Sequence, residues 1–353
     1  MYKKAAKLGN PDAMFNLASC YANGDGVEKN LKKAVKWYQR AADIGISAAM
    51  YNLAVCYDRG DGVEMDRKKA FEWYQVAADI GEVLAMCVIG DYYRSGEIVE
   101  PDNKKAFEYY QKASDLGSAD AICSLGSCYY NGCGVEMDKK SAFELYQQAA
   151  DMENAEAISK LGLCYFKGDG VEMDKKKAIE LYRRAADLDD AEAMFNLGVC
   201  FFKGDGIEAD KSKAMELYQK ASQLGNADAM FNFAVCLDTG DGVEINKDEA
   251  FELYQQASQL GNVDAIFNLA TCFEYGYVIE TNKNQAFKLY QQAAELGNAQ
   301  AMFNLAVCYD NGYGVAKDKD KALELYQRAA DMGDEQARFI VGVCPHEPEG
   351  PKR

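Results

Sequence analysis

The sequence predicts an all-α solenoid of tandem 36-residue helix-turn-helix repeats. Three observations predict it. Alanine stands at positions 13, 49, 85, 121, 157, 193, 229, 265, 301 and 337, and tyrosine at 2, 38, 74, 110, 146, 182, 218, 254, 290 and 326, without a miss. Glycine fills 24, 60, 96, 132, 168, 204, 240, 276 and 312. The chain matches itself at this spacing from end to end with no insertion or deletion. Units this short cannot bury an apolar face alone, so neighbours must stack to form a continuous core.

Each unit reads as two helices. The first, 11–23 in the opening copy, places Ala13, Met14, Leu17, Ala18, Cys20 and Tyr21 on one face, a helical rather than a strand spacing. Pro11 and Asp12 open it, where a missing N–H and a negative charge are accommodated. The second runs from about Leu31 to Ile44 and turns Ala34, Val35, Tyr38, Ala41 and Ala42 inward. Asn30, Asp66, Asp102, Asp138, Asp174, Asp210, Asn246, Asn282 and Asp318 supply its N-cap. Gly9, Gly45, Gly81, Gly117, Gly225, Gly261, Gly297 and Gly333 supply the left-handed residue that ends it, and Glu153 and Asp189 at that position should cost more. Alanines let helix backbones approach, while Leu17, Tyr21, Val27 and Tyr38 fill the space between, each worth roughly 1.5–3 kcal/mol when buried. MYKKAAKL matches the latter half of a second helix such as Trp37 to Ile44, so the chain reads as opening inside a repeat, as an excised or truncated piece would. One solenoid is therefore expected over 1–344: half a second helix, nine helix pairs and a final first helix. The proline-rich tail 345–353, PHEPEGPKR, cannot continue a helix.

Composition excludes several function classes. A net charge of −17 and a pI near 4.7 oppose nucleic acid and anionic membrane surfaces. No apolar run reaches membrane-spanning length and no secretory leader appears. Nine of the twelve cysteines share one column, Cys20 to Cys344; the others are Cys87, Cys123 and Cys133. Stacked helices sit roughly 8–10 Å apart, beyond the roughly 7 Å between Cα atoms that a disulfide tolerates. Buried free thiols, and hence a reducing, cytoplasmic compartment, are expected. The one histidine, His346, lies in the tail, which leaves no Ser-His-Asp triad and no histidine metal site. The turn Gly168 to Glu172 lacks the order of a calcium loop. No catalysis, metal or cofactor is expected.

The pattern A-x-x-x-L-G/A-x-x-Y-x-x-G-x-G-V-x-x-D-x-x-K-A-x-x-x-Y-x-x-A-A is carried here by Ala157, Leu161, Gly162, Tyr165, Gly168, Gly170, Val171, Asp174, Lys177, Ala178, Tyr182, Ala185 and Ala186. It resembles the Sel-one-like repeat (SLR), a relative of the tetratricopeptide repeat (TPR), over essentially 1–344. The resemblance implies a right-handed α/α superhelix whose first helices line a concave groove, and an adaptor or scaffold role in protein–protein interaction. A cysteine-rich branch of the family pairs cysteines within repeats; the columns expected to carry them hold Ala42 and Met50, so that oxidised form is not expected.

By the same resemblance, the stripe at 12, 15, 16, 19, 22 and 23 faces the groove. Asn16, Asn52, Asn196, Asn232, Asn268 and Asn304 form one row of it. Their carboxamides suit an extended peptide backbone, or equally a neighbouring helix or loop. Phe15, Tyr51, Phe195, Phe231, Phe267, Phe303 and Phe339 form a second row, for which packing between adjacent first helices is the plainer role. The repeat breaks in the third to fifth copies, where the Phe-Asn pair becomes Cys87-Val88, Cys123-Ser124 and Ser159-Lys160. Nearby, the column holding Asp58, Asp238, Glu274 and Asp310 becomes Tyr130, Phe166 and Phe202. Two readings follow: a pocket floored by Cys87, Cys123 and Ser159 and rimmed by the aromatics, or compensating repacking. Lys160, Lys167 and Lys203 stand among acids at Asp12, Asp120, Glu156, Glu192, Asp228 and Asp264, so a basic or mixed-charge peptide with an apolar anchor is the expected partner. The function expected is a non-enzymatic scaffold. A spacer or regulatory segment of a larger enzyme, and a self-associating architectural protein, are the alternatives.

Overall fold

The computed structural model describes residues 2–342; Cys344, His346 and the tail lie outside the described residues. Among the described residues there are twenty helices and no strand. They are α1 (Tyr2–Lys7), α2 (Pro11–Asn23), α3 (Leu31–Ala42), α4 (Ser47–Arg59), α5 (Arg67–Asp79), α6 (Val83–Ser95), α7 (Asn103–Asp115), α8 (Ala119–Asn131), α9 (Lys139–Asp151) and α10 (Ala155–Lys167). There follow α11 (Lys175–Ala186), α12 (Ala191–Lys203), α13 (Lys211–Gln223), α14 (Ala227–Thr239), α15 (Lys247–Gln259), α16 (Val263–Tyr275), α17 (Lys283–Glu295), α18 (Ala299–Asn311), α19 (Lys319–Asp331) and α20 (Glu335–Val341). Even-numbered helices are the first of each repeat and odd-numbered the second. Contacts divide the chain into two compact units, Met1–Leu181 and Tyr182–Arg353, each described by itself below.

Capping fixes the helix ends. The Asp66 carboxylate accepts the Lys69 N–H at 3.0 Å, and Asp102 accepts that of Lys105 at 3.0 Å. Four first helices, α10, α14, α16 and α18, are capped by an asparagine that also ties neighbouring repeats together. Asn154 accepts the Ala157 N–H at 2.8 Å through Oδ1 and donates Nδ2 to Asp120, one repeat earlier, at 2.7 Å. In the second unit Asn226, Asn262 and Asn298 donate likewise to Glu192, Asp228 and Asp264 at 3.0, 2.7 and 3.0 Å. Acids that resembled a groove surface in the sequence thus hold the neighbouring cap.

The two glycines of the turn after α10 do different work. Gly168 ends α10 at φ 77°, and its N–H reaches the Cys164 carbonyl at 2.8 Å. A Cβ on Gly170, at φ 74°, would lie 2.2 Å from the Lys139 carbonyl oxygen at the start of the preceding second helix. The turn therefore rests directly on backbone one repeat back, which only glycine permits. Glu153 and Asp189, where other copies have glycine, hold φ 61°, a left-handed conformation costing a side-chain-bearing residue roughly 1–2 kcal/mol.

The core is a seam of alanines with large side chains between them. Ala49, Ala85, Ala121 and Ala157 are fully buried, and Leu53, Ile89, Ile122 and Ile158 fill the space beside them. In the second unit Ala229, Ala265 and Ala301 repeat the seam with Ile266 and Tyr290.

Candidate functional site

A repeated ring pair lines the packed copies. The aromatic of each first helix lies against the tyrosine of its own second helix: Phe15–Tyr38 at 5.9 Å, Tyr51–Tyr74 at 5.5 Å, Phe231–Tyr254 at 6.1 Å and Phe267–Tyr290 at 5.9 Å between centroids. Each such pair contributes roughly 0.5–1.5 kcal/mol beyond the area it buries. These four rings therefore pack within their own repeat, against the second helix, whereas Phe339 of α20 is 89% exposed. Where Cys123 replaces the ring, Tyr146 turns instead to Tyr130, 6.4 Å away, and bonds through its hydroxyl to Ser127 Oγ at 3.2 Å.

The missing ring leaves a cavity of about 470 Å³ in the first unit. Ser124, Ser127, Tyr130 and Asn131 of α8 face Glu156, Lys160 and Leu163 of α10 across it. Arg94 of α6 and Asn103 of α7 close one side, and Tyr146, Cys128 and Cys133 complete the lining. The stripe read from the sequence supplies most of this wall. Its polar groups are partly engaged: Lys160 pairs with Glu156 at 3.2 Å, and Arg94 donates to Asp91 at 3.0 Å and to the Tyr110 hydroxyl at 3.2 Å. Burial works against the Arg94 charge, but these two bonds outweigh it and hold the guanidinium firmly protonated.

The proposed floor is placed differently. Cys123 and Ser159 are 1% and 2% exposed and pack inside the helix layer. Cys87 is half-buried, its thiol 3.8 Å from Ser118 Oγ. None of the three lines the cavity; their small size opens it, and the residue after each of the latter two, Ser124 and Lys160, forms the wall.

The three aromatics have a packing reason that sequence alone did not supply. In three copies with an acid at this position, the cation opening the second helix pairs with it: Arg67–Asp58 at 3.8 Å, Lys247–Asp238 at 3.2 Å and Lys283–Glu274 at 3.5 Å. In the aromatic copies the same cation sits over the ring, Lys139 on Tyr130 at 3.0 Å and Lys175 on Phe166 at 5.2 Å, with Lys211 on Phe202 at 5.1 Å in the second unit. Cation–π contact replaces a surface ion pair of similar small worth. Tyr130 further donates to Asp169 at 2.5 Å. Phe166 does not line the cavity, and Phe202 belongs to the second unit.

The third copy departs from both arrangements, with the cation Arg94 in the first column and the neutral Asn103 where the copies just described carry a cation. Both line the cavity. Arg94 escaped the sequence reading, although it is the one cation in that column.

The asparagine row is half-buried throughout. Asn52 and Asn232 donate to the carbonyls of Ala48 and Asp228 at 2.7 and 2.8 Å, and Asn196 reaches Glu192 at 3.4 Å. Asn268 and Asn304 bond the hydroxyls of Tyr254 and Tyr290. Asn16 is half-buried on α2.

The chain is matched by the Sel1 repeat family at residues 1–10, 11–46, 47–82, 83–118, 119–154, 155–190, 191–226, 227–262, 263–298 and 299–334. A search of curated proteins gives no match. Among solved structures, the chain is similar to c5321, a protective antigen of uropathogenic Escherichia coli with an SLR fold, at 30% identity and a TM-score of 0.59, over 97% of this chain and 73% of that one. It also shares its fold with a Sel1 repeat protein from Oxalobacter formigenes, at 24% identity and a TM-score of 0.58, over 87% of this chain and 89% of the other. With its 36-residue register, glycine turns and alanine seam matched copy by copy, the chain belongs to the Sel1 repeat family.

Proposed function

We propose that this chain is a non-enzymatic protein-interaction scaffold that binds an extended segment of a partner across α8 and α10, seating one side chain in the cavity between them. The cavity carries the reading: about 470 Å³ falls within the roughly 300–1,000 Å³ of ligand sites. Serine and tyrosine hydroxyls, the Asn131 carboxamide and the Lys160 ammonium surround it, with Leu163 and the Tyr146 ring as apolar surface. Such a lining suits a side chain with an acceptor at its tip and a hydrocarbon stem, such as glutamate or glutamine, rather than a wholly apolar anchor.

The test restores what other repeats carry. A random peptide display library is panned against the full chain, and the affinity of selected peptides is measured for the parent and for Cys123→Phe/Ser124→Asn. Binding at this site weakens at least tenfold in the double variant and about as much in Lys160→Ala. Equal affinity in all three proteins moves the site elsewhere, and failure to select any peptide removes the reading.

A further inference from the structure

Where the chain leaves α8, Gly132 takes the left-handed conformation and the Cys133 N–H bonds the Cys128 carbonyl at 2.9 Å. This six-residue closure brings together the side chains of the residue three before the helix end and the second residue after it. In three other copies the same two positions lie within electrostatic reach of each other. There the second residue is an acid, and Asp61, Asp169 and Asp241 each raise the pKa of the cysteine five positions back, after burial as the larger cause. At 133 alone a second thiol stands in place of that acid or of the aromatics found at 277 and 313. Cys133 is half-buried, Cys128 is buried, and both line the cavity.

We propose that Cys128 and Cys133 form a dithiol site that exchanges with small-molecule disulfides and closes to an intramolecular bridge in the cavity wall. The site stands whether or not the cavity binds a peptide. Cys133, the more accessible thiol, gives its proton to solvent and attacks one sulfur of a disulfide such as oxidised glutathione. A glutathione thiolate leaves and is protonated, and a mixed disulfide remains on Cys133. Cys128 then loses its proton, attacks the Cys133 sulfur and expels the second glutathione. Two thiols and one glutathione disulfide give one protein disulfide and two glutathione thiols, with two electrons passed to glutathione. A bridge needs Cα atoms no further apart than roughly 7 Å, and the backbone bond from Cys133 N–H to the Cys128 carbonyl at 2.9 Å draws the two residues together.

The test equilibrates the full chain with reduced and oxidised glutathione, quenches with acid and reads intact mass and chymotryptic fragments. Cleavage after Tyr129 or Tyr130 leaves Cys128 and Cys133 on separate peptides held together only by a bridge. Loss of two hydrogens per chain with that cross-link is expected. Cys133→Asp, which restores the residue of the neighbouring copies, should lower bridge formation at least tenfold, whereas Cys123→Ala should not. A chain that stops at the glutathione adduct, a bridge that persists in Cys133→Asp, or a cross-link through Cys123 would each overturn the assignment.

Discussion

The same repeat positions enclose about 470 Å³ in the first unit and about 90 Å³ in the second. Arg94, Asn103, Ser124, Ser127, Cys128 and Cys133 correspond, four repeats on, to Asp238, Lys247, Asn268, Thr271, Cys272 and Tyr277. In the second unit the Phe267 ring lies on Tyr290, the Asn268 amide bonds Tyr254, and Lys247 pairs with Asp238. In the first, serine and cysteine stand in for the large pair, and an arginine faces an asparagine. The backbone architecture is the same, so the size of this cavity is a matter of which side chains are withheld.

The largest effect tests whether the bigger cavity wets its wall. Burial pushes Cys56, Cys128 and Cys164 in the first unit, and Cys236, Cys272 and Cys308 in the second, from 9.0 up to about 11. A raised folded pKa means that this stability is fully present below pH 9 and is lost as pH climbs toward 11. The loss is on the order of 1–3 kcal/mol for each thiol, so several together should lower urea midpoints steeply between pH 9 and 11. Trp37 and Trp73 both lie in the first unit, so their fluorescence follows that unit while circular dichroism follows the whole. Equal declines are expected; a first unit that outlasts the second would mean that water in the cavity relieves Cys128.

The comparison can also be broken by making the second unit resemble the first. Phe267→Cys with Asn268→Ser should cost about 3 kcal/mol, since truncating a packed aromatic is of that order. The loss should appear in circular dichroism with little change in the tryptophan transition. A cost near zero would mean that the ring pair contributes little to packing.

A smaller effect separates strain from cavity. Glu153→Gly should stabilise the first unit by about 0.5–1 kcal/mol, the left-handed penalty less the greater chain entropy of glycine. Tryptophan-monitored urea unfolding reads it, and an unchanged midpoint would show that the Glu153 side chain offsets its own strain.

Most of the fold was legible because each repeat states its rules ten times over. Alanine columns, N-cap acids and left-handed glycines are local signals, and the helices follow them to within a residue or two. The wall of the cavity was partly legible, since Tyr130, Ser124 and Lys160 lie on the stripe that a helical reading leaves over. The floor was not, because periodicity gives the face of a residue but not its depth: Cys123 and Ser124 are adjacent, yet one is buried and the other lines the void. Arg94 was obscured for a different reason, since its meaning depends on a missing partner at Asn103 nine residues away.

The asparagine caps also set a chemical clock. Asn154, Asn226, Asn262 and Asn298 each turn an amide nitrogen toward a carboxylate of the preceding repeat. Hydrolysis of any one amide to aspartate would leave its own helix capped, yet set two like charges where a donor had met an acceptor. Spontaneous ageing of a single side chain would then loosen the joint between two repeats and leave each repeat folded, so damage would accumulate at the seams.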